Sequence, residues 1–292
     1  MKIKSFLEKY QDAGATRQLV AQVTKDKTHT VLSKFNGASL SIIISETFKK
    51  TGKTFLLILD DKEQAAYHLN DLERLLSEKE VLFYPGSYKR PYEIEDVDNA
   101  NVLMRAEVLN RLNARKKPVI IVTYPNALFE KVVTKKELNS NTLKITTGDE
   151  FSLDFINEVL FEYRFNRVDF VTEPGEFAVR GGIVDVFSFA NDEPYRLEFF
   201  GNEVDSIRTF DVETQLSTGN PSKIQIMPNV ENKQFSEKRE SFLNFIPNES
   251  IVYTKSIDIL QNDLNTLFEK ASARFETLSE TLKHTLPSDL FV

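Results

Sequence analysis

Short apolar segments that alternate with helix-like segments are the feature that most restricts the fold of this chain. The predicted strands are Thr28–Leu32, Thr54–Asp60, Val81–Tyr84 and Pro118–Tyr124, and the predicted helices are Leu40–Lys50, Lys62–Ser77 and Asn99–Asn113. A strand that is apolar on both faces is typical of a parallel sheet covered by helices on both sides. The first part of the sequence therefore predicts an α/β domain.

From about Glu130 the pattern changes to one helix followed by strands in quick succession. Ser152 is the predicted N-cap of that helix. The predicted strands are Arg167–Val171, Glu176–Arg180, Ile183–Phe187, Tyr195–Phe200 and Glu203–Phe210. The turns between them are short, so we expect antiparallel neighbours and a small β-rich α+β domain.

Three domains follow from these patterns. We expect an α/β domain at residues 1–130, a β-rich domain at residues 131–216, and a return to the α/β module at residues 217–292. Ser250–Thr254 is a further predicted strand in the last part. The chain ends in polar helix without completing the architecture, so we expect the last domain to be truncated.

Composition excludes several kinds of site. There is no Cys, which excludes disulfides, thiol catalysis and Cys-based zinc sites, and the three His residues are far apart in the sequence. No apolar run approaches the ~20 residues that a membrane helix needs. The formal net charge of −7 argues against nucleic-acid binding over the whole surface. We expect a cytoplasmic protein with no membrane contact and no metal site.

The segment Lys49–Asp61 contains Gly-Lys-Thr, the end of a phosphate-binding P-loop. The P-loop pattern also needs a Gly where this chain has Thr47, and it lies after a strand and before a helix. Here the order is reversed, because Gly52 follows a helical segment and Thr54 opens a strand. The pattern predicts a turn in which Gly52 caps the helix, and no phosphate site.

A segment upstream, Val31–Glu46, has the order of a nucleotide site: strand, turn of small residues, helix. Gly37 lies in the turn, but Leu40 occupies the position of the P-loop Lys, with Ser41 after it. A Leu side chain carries neither the charge nor the donor that the phosphates require. We therefore predict a degenerate nucleotide site at Gly37, Leu40 and Ser41 that binds no cofactor.

The segment Tyr163–Ser217 contains "EPGEFAVRGGIVDVF" and "PYRLEFFGNEVDSIRTFD". It resembles the N-terminal region of bacterial transcription-repair coupling factors (Mfd) and, more distantly, the excision-repair protein UvrB. Phe83–Glu93 and Pro118–Val132 carry a weaker form of the same resemblance. It implies a RecA-like parallel-sheet domain and an inserted β-rich domain like the second domain of UvrB. In the full-length family, further domains form a translocase that uses ATP and Mg²⁺ and contacts RNA polymerase and double-stranded DNA.

Three departures argue against UvrB itself. Leu40 replaces the P-loop Lys, and the interval Pro85–Pro118 is too short for the Tyr-rich hairpin that UvrB inserts into DNA. Lys255 and Ser256 fall where UvrB has the Asp and Glu of its ATPase motif. We therefore expect a non-catalytic segment, and the alternative is a fragment of a UvrB-like ATP-dependent DNA-repair helicase. A purely structural spacer is the third possibility.

The resemblance assigns UvrA binding to Arg180, Arg196 and Phe200. Period-two alternation along Tyr195–Phe200 places Arg196, Glu198 and Phe200 on one face of their strand, and along Glu176–Arg180 it directs Arg180 and Ala178 out of the core. An exposed Phe beside Arg residues is typical of an interface hot spot. Without the resemblance, Arg196 and Glu198 indicate a solvated strand face, and Phe200 indicates a ring packed under a loop. The expected function is recruitment of UvrA to stalled RNA polymerase, with Glu198 orienting Arg196 or lying at the rim.

Overall fold

A computed structural model describes residues 7–292, except for 8, 12, 26–28, 34, 36, 78–79, 88–98, 115–116, 190, 192, 229–237 and 279–285. The chain forms two compact units. Unit 1 consists of residues 1–96, 111–131 and 241–292, and unit 2 of residues 97–110 and 132–240.

The helices and strands are numbered in chain order. The helices are α1 Gly14–Val23, α2 Ser39–Thr51, α3 Lys62–Leu75, α4 Asn99–Ala114, α5 Pro125–Phe129, α6 Lys135–Ser140, α7 Leu153–Glu162, α8 Ile257–Glu276 and α9 Pro287–Leu290. The strands are β1 Phe55–Ile58, β2 Val81–Phe83, β3 Ile120–Thr123, β4 Val132–Val133, β5 Leu143–Thr146, β6 Asn166–Arg167, β7 Glu176–Arg180, β8 Ile183–Val186, β9 Tyr195–Phe200, β10 Glu203–Phe210, β11 Ser217–Gly219, β12 Lys223–Ile226, β13 Arg239–Glu240 and β14 Ile251–Thr254.

Unit 1 contains a parallel sheet with the strand order β14-β1-β3-β2. Every residue of β1 and β3 is buried, as the continuous apolar runs predicted. The strands predicted at Thr54–Asp60, Val81–Tyr84, Pro118–Tyr124 and Ser250–Thr254 are confirmed, and so are the three helices predicted before residue 114. The mixed α/β class with a separate β-rich sheet is therefore confirmed.

The strand predicted at Thr28–Leu32 is wrong for the residues that the structure describes. Residues 29–33 are irregular and join none of the described strand ladders, and Thr28 lies outside the described residues. Val31 is 79% exposed, while Leu32 packs on a small cluster formed with Leu19, Val23 and Ile43. The segment is therefore held by the side chain of Leu32 and not by a hydrogen-bonded ladder with the described strands.

Unit 2 is built on a six-stranded sheet with the order β11-β10-β9-β8-β7-β6. Strands β7 to β10 pair as antiparallel neighbours, as predicted. The β7–β8 turn uses Gly181 at a φ of +60°, and a Cβ on Gly182 would lie 2.9 Å from the carbonyl oxygen of Phe199. Only Gly can hold this hairpin so close to β9 without a shift of the backbone. Ser152 caps α7 by accepting a hydrogen bond from the Phe155 amide, as predicted.

The strand predicted at Arg167–Val171 is mostly absent. Only Asn166–Arg167 is strand, and it pairs with β7 in parallel, contrary to the antiparallel expectation. Val168 and Val171 then pack against Ala178, Phe187 and Phe210 on one face of the sheet. The segment leaves the ladder because it covers this face.

The boundaries of the compact units differ from the predicted domains. Residues 217–240 belong to unit 2, whereas the prediction returned the chain to the α/β module at residue 217. Two antiparallel pairings account for this extension: β12 pairs with β5, and β13 pairs with β4. Residues 97–110 also belong to unit 2.

Among the residues that the structure describes, no helix combines the length and the apolar character that crossing a bilayer requires.

Candidate functional site

The predicted interface residues Arg180 and Arg196 lie in unit 2 and share one buried carboxylate, that of Asp185. In the sheet register Asp185 is opposite Ala178 on one side and Arg196 on the other, so it lies between the strands that carry the two arginines. Asp185 is 1% exposed. We call Arg180, Asp185 and Arg196 the Arg-Asp-Arg cluster.

The two guanidinium groups contact Asp185 differently. Arg196 donates from Nε to Oδ1 at 2.7 Å and from Nη2 to Oδ2 at 2.9 Å, which is a bidentate pair. Arg180 donates to Oδ2 from Nη2 alone. One carboxylate thus faces two cations, and the cluster has an excess of one positive charge.

The guanidinium group of each arginine also lies over an aromatic ring. The guanidinium carbon of Arg196 lies 4.4 Å from the ring centroid of Phe210, and that of Arg180 lies 5.2 Å from the ring centroid of Phe170. Both distances fall within the range of cation–π attraction. Ring and carboxylate together fix the plane of each guanidinium group.

The two arginines differ in how much of each side chain remains accessible. The Arg196 side chain is 18% exposed, and its Nη2 also donates to Oε1 of Gln215 at 3.2 Å. The hydrogen bond to Asp185 is the main cause that raises the pKa of Arg196 above its ordinary value, and burial opposes it. The Arg180 side chain is 39% exposed. Arg180 therefore presents more of its charge to solvent.

Phe200 is 82% exposed at the end of β9, on the strand face that carries Arg196 and Glu198. The hypothesis that this ring packs under a loop is wrong. Glu198 accepts hydrogen bonds from Ser206 at 2.7 Å and Arg208 at 3.0 Å, so its hydrogen-bond partners lie on β10. It also raises the pKa of Arg196 through its charge.

The expectation that Ala178 points out of the core is wrong. Ala178 is 1% exposed, because it belongs to a second small core with Val171, Phe187 and Phe210. This core lies on the same face of the sheet as the Arg-Asp-Arg cluster. The cluster therefore stands at the border between a packed surface and solvent, and not on a fully solvated strand face.

Sequence reasoning missed Asp185. The signal was present in "IVDVF", where alternation places Asp185 on the face opposite Val184 and Val186. A single acidic residue between apolar neighbours, with an Arg on each adjacent strand, indicates a buried ion pair. Only the strand register shows that both arginines reach it.

The Gly-Lys-Thr segment of unit 1 has structural roles, as predicted. Gly52 adopts a φ of +58° as the C-cap of α2, and its amide donates to the carbonyl of Phe48. Lys53 Nζ donates to the carbonyl oxygen of Val23 at 2.8 Å. The Lys that a P-loop would aim at phosphate here holds the end of α1.

The upstream candidate combines Gly37, Leu40 and Ser41 at the start of α2. Gly37 has a φ of +55°, Leu40 is 7% exposed, and Ser41 is fully buried with its Oγ 2.8 Å from Nδ1 of His68. The strand expected before this turn is absent from residues 29–33. Leu40 is thus a buried apolar side chain, and the hydroxyl after it is already hydrogen-bonded. The degenerate nucleotide site stays a prediction.

A second ion pair lies at the carboxyl ends of neighbouring parallel strands. Asp60 follows β1 and Lys255 follows β14, and Lys255 Nζ donates to Asp60 Oδ2 at 2.6 Å. This hydrogen bond is the main cause that raises the pKa of Lys255. Ser256 accepts a hydrogen bond as the N-cap of α8.

Two other expectations fall partly outside the described residues. The interval Pro85–Pro118 includes residues 88–98, and one of the three His residues, His284, is also outside them. Over the part of the chain that is described, no group of three or more His, Asp or Glu could hold a metal ion. The absent hairpin and the absent metal site stay predictions.

The β-rich unit, which contains the Arg-Asp-Arg cluster, matches a known domain family over part of its length. Residues 143–231, which include Arg180, Asp185, Arg196 and Phe200, match the UvrB interaction domain family. The relatives that the chain matches over two thirds or more of its length include bacterial transcription-repair-coupling factors. That of Bacillus subtilis is 29% identical over 227 residues, which is 77% of this chain and 19% of the relative.

Two further relatives have the same description. The transcription-repair-coupling factor of Rickettsia bellii is 30% identical over 197 residues, or 67% of this chain and 17% of the relative. That of Escherichia coli is 28% identical over 198 residues, or 68% of this chain and 17% of the relative. The chain thus spans about a fifth of the length of the curated relatives that it matches.

His68 makes the stability of unit 1 depend on pH. Burial lowers the pKa of His68 below 6.5, and the charge of Asp71 opposes this shift only in part. At pH values near and below 6.5 His68 binds protons more readily in the unfolded chain than in the folded chain, so we expect the free energy of unfolding to fall as pH is lowered from 7.5 to 5.5. Urea denaturation of the wild type and His68→Gln checks this, and we expect a shallower decline in the variant. Equal pH slopes in the two proteins would contradict it.

Proposed function

We propose that this chain is a UvrA-docking module, related to the UvrB-like region of transcription-repair coupling factors. The observation that carries the proposal is the Arg-Asp-Arg cluster, with the exposed Phe200 ring on the strand face that carries Arg196, inside the segment that matches the UvrB interaction domain. In a coupling factor this module recruits UvrA of nucleotide excision repair to stalled RNA polymerase in the cytoplasm. Contacts with RNA polymerase and double-stranded DNA belong to segments of the relatives that this chain does not match.

The chemistry of the cluster supports a protein partner. Arg180 offers a partly exposed guanidinium that an acidic side chain can meet, and Phe200 offers an exposed aromatic surface. Arg and aromatic residues dominate the binding energy of many interfaces because each combines a large contact area with directional contacts. Arg196 is mostly buried and lies on the same strand face as Phe200. The proposed UvrA-binding residues are thus Arg180, Arg196 and Phe200.

The parallel sheet of unit 1 fits a RecA-like domain that has lost its nucleotide site. Buried Leu40 and the Ser41–His68 contact at the start of α2, together with the Lys255–Asp60 pair at the strand ends, support this part of the proposal. We propose that this segment is non-catalytic and takes no cofactor. ATP and Mg²⁺ would then serve only the translocase domains of the longer family members.

Removal of both arginines tests the docking function. We expect Arg180→Ala combined with Arg196→Ala to weaken UvrA binding by about 2 kcal/mol or more, roughly 30-fold, because a charged partner group loses its counter-charges. Calorimetric titration with UvrA measures this loss. The matched control is Lys144→Ala combined with Lys223→Ala, which removes the same charge from exposed positions on β5 and β12. Wild-type affinity in the double Arg variant would refute the assignment.

The double substitution also leaves Asp185 buried without a cation, which destabilises the fold. Arg180→Ala alone avoids this, because the bidentate Arg196–Asp185 pair remains. We expect the single variant to melt near the wild-type temperature and still lose affinity for UvrA.

Phe200→Ala tests the apolar part of the surface. Because the ring is 82% exposed, its loss leaves the free energy of unfolding within about 0.5 kcal/mol of wild type. We expect UvrA affinity to fall at least about tenfold, as for a hot-spot aromatic residue. Leu216→Ala is the control, since that side chain is 69% exposed in the same unit and is not among the proposed contacts. Equal affinities of Phe200→Ala and wild type would remove Phe200 from the site.

The alternative function, a UvrB-like ATP-dependent helicase fragment, predicts nucleotide and DNA binding by this chain. We expect titration with ATP and Mg²⁺ to give no binding heat, because no cationic side chain occupies the Leu40 position. We also expect DNA binding to be weak and to vanish as salt is raised from 50 to 200 mM, as for nonspecific phosphate contacts. Micromolar ATP affinity would favour the alternative, whereas a structural spacer would bind neither ATP nor UvrA.

A further inference from the structure

We infer that Asp185 is a positioning residue of the docking surface: it holds the Arg180 guanidinium in the orientation that the partner meets. This inference rests on the proposed function. Asp185 is 1% exposed and therefore does not itself contact a partner. Its effect on binding must pass through the arginines that it holds.

Both oxygens of the Asp185 carboxylate are already paired with Arg196, without any contribution from Arg180. The bidentate contact with Arg196 uses both oxygens of Asp185, at 2.7 and 2.9 Å, and this pair is the more deeply buried of the two. Arg180 adds a further donor to Oδ2 from the solvent side. The cluster therefore has a neutral inner pair and an outer cation that a partner carboxylate can complete.

The contacts of Arg180 also restrict the rotamers that its side chain can adopt before a partner binds. A long, partly exposed side chain populates several rotamers, and their loss on binding weakens an interface. Here one end of the guanidinium group is fixed by Asp185 and its face lies over Phe170. Two such contacts reduce the entropy that remains to be lost when a partner binds.

Asp185→Asn separates positioning from simple charge attraction, because the two predict opposite signs. The substitution raises the net charge of the surface by one, so charge attraction alone strengthens binding to an acidic partner. Positioning predicts the reverse: the amide cannot balance two guanidinium groups, and its NH₂ group faces donors. We expect UvrA affinity at least about tenfold weaker than wild type at every salt concentration. Affinity equal to or above wild type would overturn the inference.

The matched control is Glu137→Gln on α6, which removes one negative charge from unit 2 outside the docking surface. Glu137 accepts hydrogen bonds from Thr134 in a capping box, and Gln fits the same role. We expect this variant to bind UvrA as the wild type does. A loss as large as that of Asp185→Asn would show that the effect is not specific to Asp185 and would overturn the inference.

A double-mutant cycle supplies a readout that a purely structural role of Asp185 would not change. If Asp185 acts through Arg180, then Arg180→Ala costs little further affinity once Asp185→Asn is present. If Asp185 only supports the fold, Arg180→Ala costs its full effect in that background too. The second result would overturn the inference, while circular dichroism and thermal melting report whether each variant is folded.

A charge-neutral background keeps the test decisive if Asp185→Asn alone does not fold. Asp185→Asn with Arg196→Gln replaces the inner ion pair by two amides and leaves the net charge unchanged. The effect of Arg180→Ala is then compared between this background and Arg196→Gln alone, in which Asp185 still holds Arg180. We expect a large loss of affinity only in the Arg196→Gln background, and equal losses in both would overturn the inference.

The outcomes also separate this inference from the proposed function. If the wild-type chain does not bind UvrA, the proposed function fails. If the wild type binds, Arg180→Ala weakens binding and Asp185→Asn does not, only the positioning role fails.

Discussion

The proposed docking surface of unit 2 depends on one interaction, the pairing of the buried Asp185 carboxylate with two arginines. The carboxylate lies between β7 and β9, and both arginines of the proposed interface donate to it. A carboxylate buried to this extent is costly unless it is paired and hydrogen-bonded. Arg196 meets that requirement with two donors, and Arg180 contributes the surplus charge at the surface. The contact that stabilises the sheet is thus the same one that, in the proposed function, orients Arg180 toward a partner.

The second core of unit 2 makes this arrangement possible. Val168 and Val171 leave the strand ladder and pack with Ala178 and Phe210 on the face that carries the cluster. This packing excludes water from one side of Asp185 and places Phe210 under Arg196. In unit 1, Leu40 is buried at the start of α2, and the contact of Ser41 with His68 joins α2 to α3.

Much of the fold was predictable from sequence because it depends on local periodicity. The fully apolar runs at β1 and β3 and the alternation along β9 are each repeated over several residues, so a chance deviation does not obscure them. The structure departs from the sequence prediction where contacts between distant segments decide the conformation. Val31 and Leu32 have strand-like composition, yet Leu32 alone docks on a core. Residues 217–240 belong to unit 2 because β12 finds its partner far back in the chain.

For the candidate site, the sequence by itself determined that Arg180, Arg196 and Phe200 lie on strands, and it predicted that Leu40 stands where a P-loop has its Lys. Residue identity and the two-residue period of a strand are sufficient for those statements. Only the tertiary structure decided that Asp185 joins the two arginines, that Ala178 is buried and that Phe200 is exposed. The reason is physical: periodicity specifies the face of a strand, whereas register and the packing of distant segments determine what covers that face.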